Sequence, residues 1–160
     1  MPMFATAGSK LYIGGVLPDQ NSDFAESDFD GETWTEISRL ESLGSLGDAA
    51  SEVTFEDIGQ QRTKRIKGTR TAPPMELVAA IDYDDAGQQA LIAAEKTNDN
   101  YAFKLEFPDA PAGGTPSERY FIAIVGSQTE AYDTANNVMK LNASLWVNSN
   151  VVRVDAAEGV

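Results

Sequence analysis

The sequence predicts a mainly β chain carrying one α-helix, and three observations lead there. The stretches MELVAAI (75–81), NYAFKLEF (100–107) and NVMKLNASLWV (137–147) alternate apolar with polar residues, the two-residue period of a half-buried strand. Between the first two, DYDDAGQQALIAAEKT (82–97) replaces that period with a helical stripe of Gly87, Ala90, Leu91 and Ala94. The whole 160-residue chain also has no histidine and no cysteine. That removes the usual neutral-pH general base, any thiol nucleophile and the common zinc ligands, and points to a protein that works through its surfaces.

Composition sets the outer bounds. A chain of this length is most simply one domain, able to bury a core without cross-links. Hydrophobic residues make up 42%, with two Trp, five Tyr and seven Phe, which is too many for an acidic disordered chain. Twelve Lys and Arg against 25 Asp and Glu give a formal charge of −13; a nucleic-acid duplex or an anionic membrane is therefore not an attractive partner. The start, MPMFATAGSKLYIGG, has neither the basic region nor the apolar run of a secretory signal, and no stretch approaches membrane-spanning length.

In chain order, KLYIGGVL (10–17) reads as a first strand bent at its Gly pair. Asp19 to Glu36 holds seven acids and no base, as an exposed acidic loop would, over about 19–33. Trp34, Ile37, Leu40, Leu43 and Leu46 fall at steps of three, yet Thr33, Thr35 and Ile37 are β-branched and Gly44 and Gly47 punctuate. Strand plus irregular structure is expected there rather than helix. SEVTFED, with Val53 and Phe55 on one face, is a short extended piece before the polar GQQRTKRIKGTRT. Pro73 and Pro74 then place a strand start at Met75.

Asp85 is expected to cap a helix over about 85–96, with Gln88 completing a capping box, and small side chains let that helix lie close on a sheet. RYFIAIV (119–125) is apolar on both faces, so it needs cover on both sides, for which another subunit is one candidate. VVRVDAAEGV adds a short strand and a flexible tail at 155–160.

Several candidate sites have plainer readings. Glu26, Asp28 and Asp30 followed by Gly31 suggest a calcium loop, but the twelfth position, where a bidentate Glu is required, is Ile37. Asp82, Asp84 and Asp85 suggest a catalytic carboxylate pair or a magnesium site, while capping and the helix dipole explain acids at a strand-to-helix junction more simply. GGTPS has no following helix to build a phosphate site. No catalytic, metal or cofactor residue is assigned.

One charged feature stands out: the run Arg62, Lys64, Arg65, Lys67 and Arg70. It is either a solvated surface, or a nucleic-acid contact disfavoured by net charge and the lack of interleaved aromatics, or a contact to a second copy. The acids Asp23, Glu26, Asp28 and Asp30 of such a copy would complement it, and two opposite patches on one chain make a head-to-tail contact that closes as a ring or runs on as a stack.

The order of pieces resembles the major tail tube protein of long, non-contractile, lambda-like (siphovirus) phage tails. A Trp-led strand, LGSLGDAASEVTFED, the basic KRIKGTR, MELVAAIDYD, the helix DDAGQQALIAAE and YAFKLEFPD carry the likeness, over about Trp34 to Val154. It implies a β-sandwich or barrel with one flanking helix, a single tail-tube domain over 1–160 without the immunoglobulin-like addition of some members. Six copies would form a ring around a continuous inner barrel, the loop 46–74 would reach an adjacent ring, and stacked rings would make a conduit for DNA.

By the same resemblance the partners are other copies, the tape-measure protein, the tail terminator and distal tail or baseplate proteins. DNA passes unbound, no membrane is involved, and the protein is made in a host bacterial cytoplasm to end in a virion tail. Lys104 and Glu106, or Lys140, Asn142 and Ser144, are the candidate lumen residues. Two other readings remain: the ring protein of a type VI secretion tube, and a small ligand- or carbohydrate-binding β-barrel using Trp34 and Trp146 as platforms.

Overall fold

The computed structural model describes residues 3–159. Its strands are β1 (Lys10–Val16), β2 (Thr35–Ile37), β3 (Leu40–Ser42), β4 (Ala49–Phe55), β5 (Lys64–Thr71), β6 (Met75–Ala80), β7 (Tyr101–Glu106), β8 (Glu118–Ala131), β9 (Lys140–Val147) and β10 (Val152–Val154); the helix α1 is Ala86–Glu95. One antiparallel sheet runs β2-β1-β7-β8-β9-β6-β3, with β10 added on β8, while β4 and β5 pair only with each other. The first and last strands of the long path, β2 and β3, are separated in the chain by Ser38 and Arg39 alone. Ile37 and Leu40 therefore lie within about 10 Å, and the sheet must curl until its two edges meet.

The alternating sequences explain what fills this curl. Leu11, Ile13, Phe103, Leu105, Phe121, Val125, Leu141 and Leu145 are buried together on one sheet face, with Leu91 and Ala94 of α1 packed into them. Helix α1 lies against β1, β2 and β8. Gly87 is what allows the approach, because a Cβ there would run into the Glu36 carbonyl.

The helix begins as expected, with the Asp85 carboxylate accepting from the Gln88 N–H at 2.9 Å. Gln88 does not complete a capping box. Its side chain is buried and ties the β2–β3 link to the end of β6 instead: the amide donates to Ser38 O (3.0 Å) and Ala80 O (2.9 Å) and accepts from the Asp82 N–H (3.1 Å). Strand β1 shifts register between Ile13 and Val16, at the Gly14–Gly15 pair.

Several expectations need correction. The segment 46–74 is not a loop but largely the β4–β5 hairpin; KRIKGTRT has too few apolar residues to alternate, so its strand was invisible to periodicity. The acidic segment 19–33 is not simply solvated, since Phe24 and Phe29 are buried and residues Glu26–Phe29 form a 3-10 turn.

This strap supplies, from the same chain, the second cover for Tyr120 and Ile122 of RYFIAIV, while Ile124 stays half-buried. Phe24, Phe29, Ala102, Tyr120 and Ile122 make a second apolar cluster on the outer face of the sheet, with Leu17, Trp34, Val152 and Val154 packed around it. Asn150 fastens the strap by accepting from the Phe24 N–H (2.8 Å) and donating to its carbonyl (3.1 Å). Strand β9 starts at Lys140, later than expected, because residues 134–137 turn, with the Asn137 N–H bonded to Thr134 O at 3.0 Å. Nor is the tail loose throughout: Ala157 pairs with Thr115 through two backbone hydrogen bonds of 2.9 and 3.1 Å. Its last residue lies outside the described ones.

Candidate assembly surfaces

Three surfaces carry the residues singled out by sequence: the arm, the acidic strap and the outer sheet face. The arm is the β4–β5 ribbon. Directly paired residues share a face, so Val53 with Ile66 and Phe55 with Lys64 form one side, and Glu52 with Lys67 and Thr54 with Arg65 form the other. Val53, Phe55, Ile58 and Ile66 are all exposed. A two-stranded ribbon with no core is marginal in water by itself.

The five bases divide by position. Arg70, at the arm's root, clasps Asp48 with Nε and Nη2 at 3.0 and 2.9 Å, and this bond holds the Asp48 carboxyl below its usual range. Asp23 of the strap also favours the charged Arg70, and both line a groove of about 560 Å³ with Asp19, Asn148 and Asn150. The carboxylate within ion-pair distance of Arg70 is thus Asp48 of its own arm root. Arg65 pairs with its cross-strand neighbour Glu52 at 3.2 Å, both exposed; such a pair contributes little by itself. Among the described residues Arg62, Lys64 and Lys67 have no carboxylate within ion-pair distance.

On the strap, Glu26, Asp28 and Asp30 are arranged by the 3-10 turn rather than around a cation. The Asp28 carboxylate accepts from the Ala25 N–H at 2.8 Å and from Gln20 at 3.4 Å. Among the described residues no group of three or more acids comes together as a metal site. The other acidic cluster is likewise occupied: Asp85 caps α1 and accepts from the Ser38 N–H, Asp82 accepts from the Asp84 N–H at 3.1 Å, and Arg39 lies 3.7 Å from Asp82.

The five lumen candidates fall on one face, opposite the core. Lys104 and Glu106 pair with Tyr120 and Glu118, while Lys140, Asn142 and Ser144 pair with Ala131, Thr129 and Ser127; simple alternation along β8 would set these two groups on opposite faces, and the register shift between Val125 and Ser127 brings them onto one, opposite the buried Phe121, Val125, Leu141 and Leu145. Sequence had offered these as two alternative faces, whereas the long β8 makes them one. The strap divides it.

Lys104 lies over the Tyr12 ring at 4.6 Å and the Trp34 ring at 5.7 Å, and Tyr12 donates to Glu106 at 3.0 Å. Burial first, then that carboxylate, pushes the Tyr12 hydroxyl up to about 12. Trp34 is packed beside Tyr120 with centroids 5.8 Å apart, so it is no open platform. Toward the other end of the face, Ser144 donates to Glu76 at 3.0 Å and Lys140 reaches Glu41 at 2.8 Å. Trp146 stays half exposed, lying across Gly126, where a Cβ would collide with the indole. Chemically these surfaces can pack, pair and repel.

The family described as "Phage tail tube protein, TTP" matches residues 27–156. The chain belongs to that family. It is a structural, tube-forming phage tail protein, as the order of its sequence pieces implied. No curated protein matches it in sequence.

Solved structures share its fold at low identity. The SPP1 tail tube is 14% identical with a TM-score of 0.63, over 96% of this chain and 80% of that one. The sheath-tube complex of the extracellular contractile injection system PVC is 12% identical with a TM-score of 0.65, over 96% and 92%. The tube-terminating cap of the anti-feeding prophage is 14% identical with a TM-score of 0.67, over 97% and 93%. The strap lies in the family match only from residue 27 onward; Phe24, which helps seat it, was a signal in the sequence, an aromatic residue inside an acidic run, that charge counting overlooked.

Proposed function

We propose that this tail tube protein builds its tube by self-assembly into stacked rings, six copies to a ring, as a single domain whose arm is completed by neighbouring copies. The observation that carries this reading is the arm itself: two strands with apolar residues on one side and no core beneath them. Of the basic run, Arg65 and Lys67 on the charged side of the ribbon, with Arg62 and, less freely, Arg70, are set to meet Asp23, Glu26, Asp28 and Asp30 on another copy, where opposite charge fixes register and suppresses wrong pairings; Lys64 lies on the apolar side with Phe55.

The uncovered end of the outer face, with Lys140 and Asn142, is the wet surface best suited to line the conduit, with Lys104 and Glu106 bordering the strap; Ser144, the remaining lumen candidate, is buried there with its hydroxyl on Glu76. A chain of charge −13 lets DNA slide without sticking, because binding a phosphate backbone requires cations. The tape-measure protein, tail terminator and distal tail or baseplate proteins are the partners this role calls for. Synthesis belongs in the host bacterial cytoplasm, with the tube ending in the virion.

Negative-stain microscopy of concentrated purified protein tests the reading: rings or tubes are expected, and a monomer under all salt conditions overturns it. Reversal of Arg65→Glu with Lys67→Glu is expected to weaken stacking while leaving the melting temperature unchanged. Tubes of normal length from that variant would remove the basic run from the contact.

A further inference from the structure

The arm and the strap occupy the same end of the molecule, which leaves the opposite end to be explained. Strand β6 runs from Met75, paired with Leu145, to Ala80, paired with Lys140. The arm joins it at the Met75 end, through residues 72–74. At the Ala80 end, the β6–α1 and β8–β9 connections come together. The Ile81 N–H bonds to Met139 O at 3.0 Å, and the Gln89 amide donates to Tyr83 O at 3.2 Å. This end exposes Tyr83 (62%), Tyr132 (55%), Val138 (60%) and Met139 (44%), large side chains that no element among the described residues covers. Asp84, Glu130 and Asp133 border it, and the Tyr132 hydroxyl donates to Glu130.

We infer that this end is the seat for the apolar side of the arm of a second copy, a step that rests on the arm being completed by a neighbour. The two surfaces match in kind. Val53, Phe55 and Ile66 supply apolar area on one side of the ribbon, and Lys64, paired with Phe55 on that same side, brings a cation with no ion-pair partner among the described residues to the acids Asp84, Glu130 and Asp133. They also match in place. Both remain exposed in the single chain, so the arm does not lie on its own seat, and because they sit at opposite ends of β6 their contact is head-to-tail and propagates.

The charged side of the ribbon, Glu52, Arg65 and Lys67, faces the other way and remains available to an acidic strap. One arm can then be held between two neighbours.

The absence of cysteine makes the test direct. Single variants Phe55→Cys and Val138→Cys are prepared separately, their melting compared with the unmodified chain, then mixed and treated with a short bismaleimide. A covalent dimer is expected only in the mixture, and a ladder of products from the doubly substituted chain. Met139→Asp with Val138→Asp is expected to raise the concentration needed for assembly at least tenfold without changing the melting temperature. Tubes from the unmodified chain with no arm-to-tip cross-link, or a cross-link from Phe55→Cys to Asp28→Cys in its place, overturn the seat alone. Failure of the unmodified chain to assemble under any condition, with no cross-link, overturns the tube reading as well.

Discussion

The barrel and the arm are built from the same element, the antiparallel strand pair, and they are held by opposite means. In β6 to β9 nearly every second side chain is buried, and Phe103 and Phe121 stack inside with centroids 5.5 Å apart. In β4 and β5 almost every residue is exposed, including Val53, Phe55 and Ile66. Hydrogen-bonded pairing is common to both, so pairing is not what distinguishes a self-sufficient sheet from one that needs a neighbour. What distinguishes them is whether the apolar face has something of its own chain to rest on. Substitutions in the barrel should therefore be read out as lost stability, and substitutions in the arm as lost assembly.

That contrast is sharpest at the barrel's centre. Phe103→Ala should remove about 4 kcal/mol of stability through a cavity the surrounding strands cannot close, visible as a large drop in the midpoint of chemical denaturation. Gln88→Ala should cost about 3 kcal/mol, because it leaves the Asp82 N–H and the Ser38 and Ala80 carbonyls without partners. Asp85→Ala should cost about 1 kcal/mol as a lost helix cap, read as a smaller shift of the same midpoint.

At the arm's root the effect is local and depends on pH. The Asp48 carboxyl is depressed by Arg70, so the latch contributes fully above the ordinary aspartate pKa of about 3.9. It is lost as pH falls through the lower folded value. Amide exchange in β4 and β5 should accelerate below that range while the barrel's stays slow; equal acceleration in both would merge two regions the structure separates. Smallest in stability is Phe55→Ala, expected to lie within about 0.5 kcal/mol of the unmodified chain while reducing tube formation. A large stability loss there would mean that the arm has an intramolecular support.

Much of the barrel was legible in the sequence, because β6, β7 and β9 each bury one face and expose the other and α1 announces itself with Asp85 and a stripe of small residues. The same rule explains the misses. KRIKGTRT, inside β5, carries one large apolar residue, since the ribbon has no core to point at, and a strand without a buried face leaves no periodic trace. Gln88 looked like half of a capping box because spacing reports only which residues are three apart; its partners Ser38 and Ala80 come from segments that folding brings together. The two alternative lumen faces were one for a similar reason, as β8 is long enough to carry β7 on one part of its length and β9 on another.

Sequence by itself determined that this chain is mainly β with one capped helix, that it is strongly acidic with one basic run, and, through the order of its pieces, that it belongs with phage tail tube proteins. Those properties are local or compositional: a two-residue period, a cap, a charge count, a string of short motifs. The tertiary structure decided what each face meets. The strap covers Tyr120 and Ile122 from within the chain, Asp48 clasps Arg70, and the arm and the Tyr83–Tyr132 end are left open at opposite poles. Burial is a relation between segments far apart in the chain, so the alternation in a strand says that one face will be covered, but only the fold says by what.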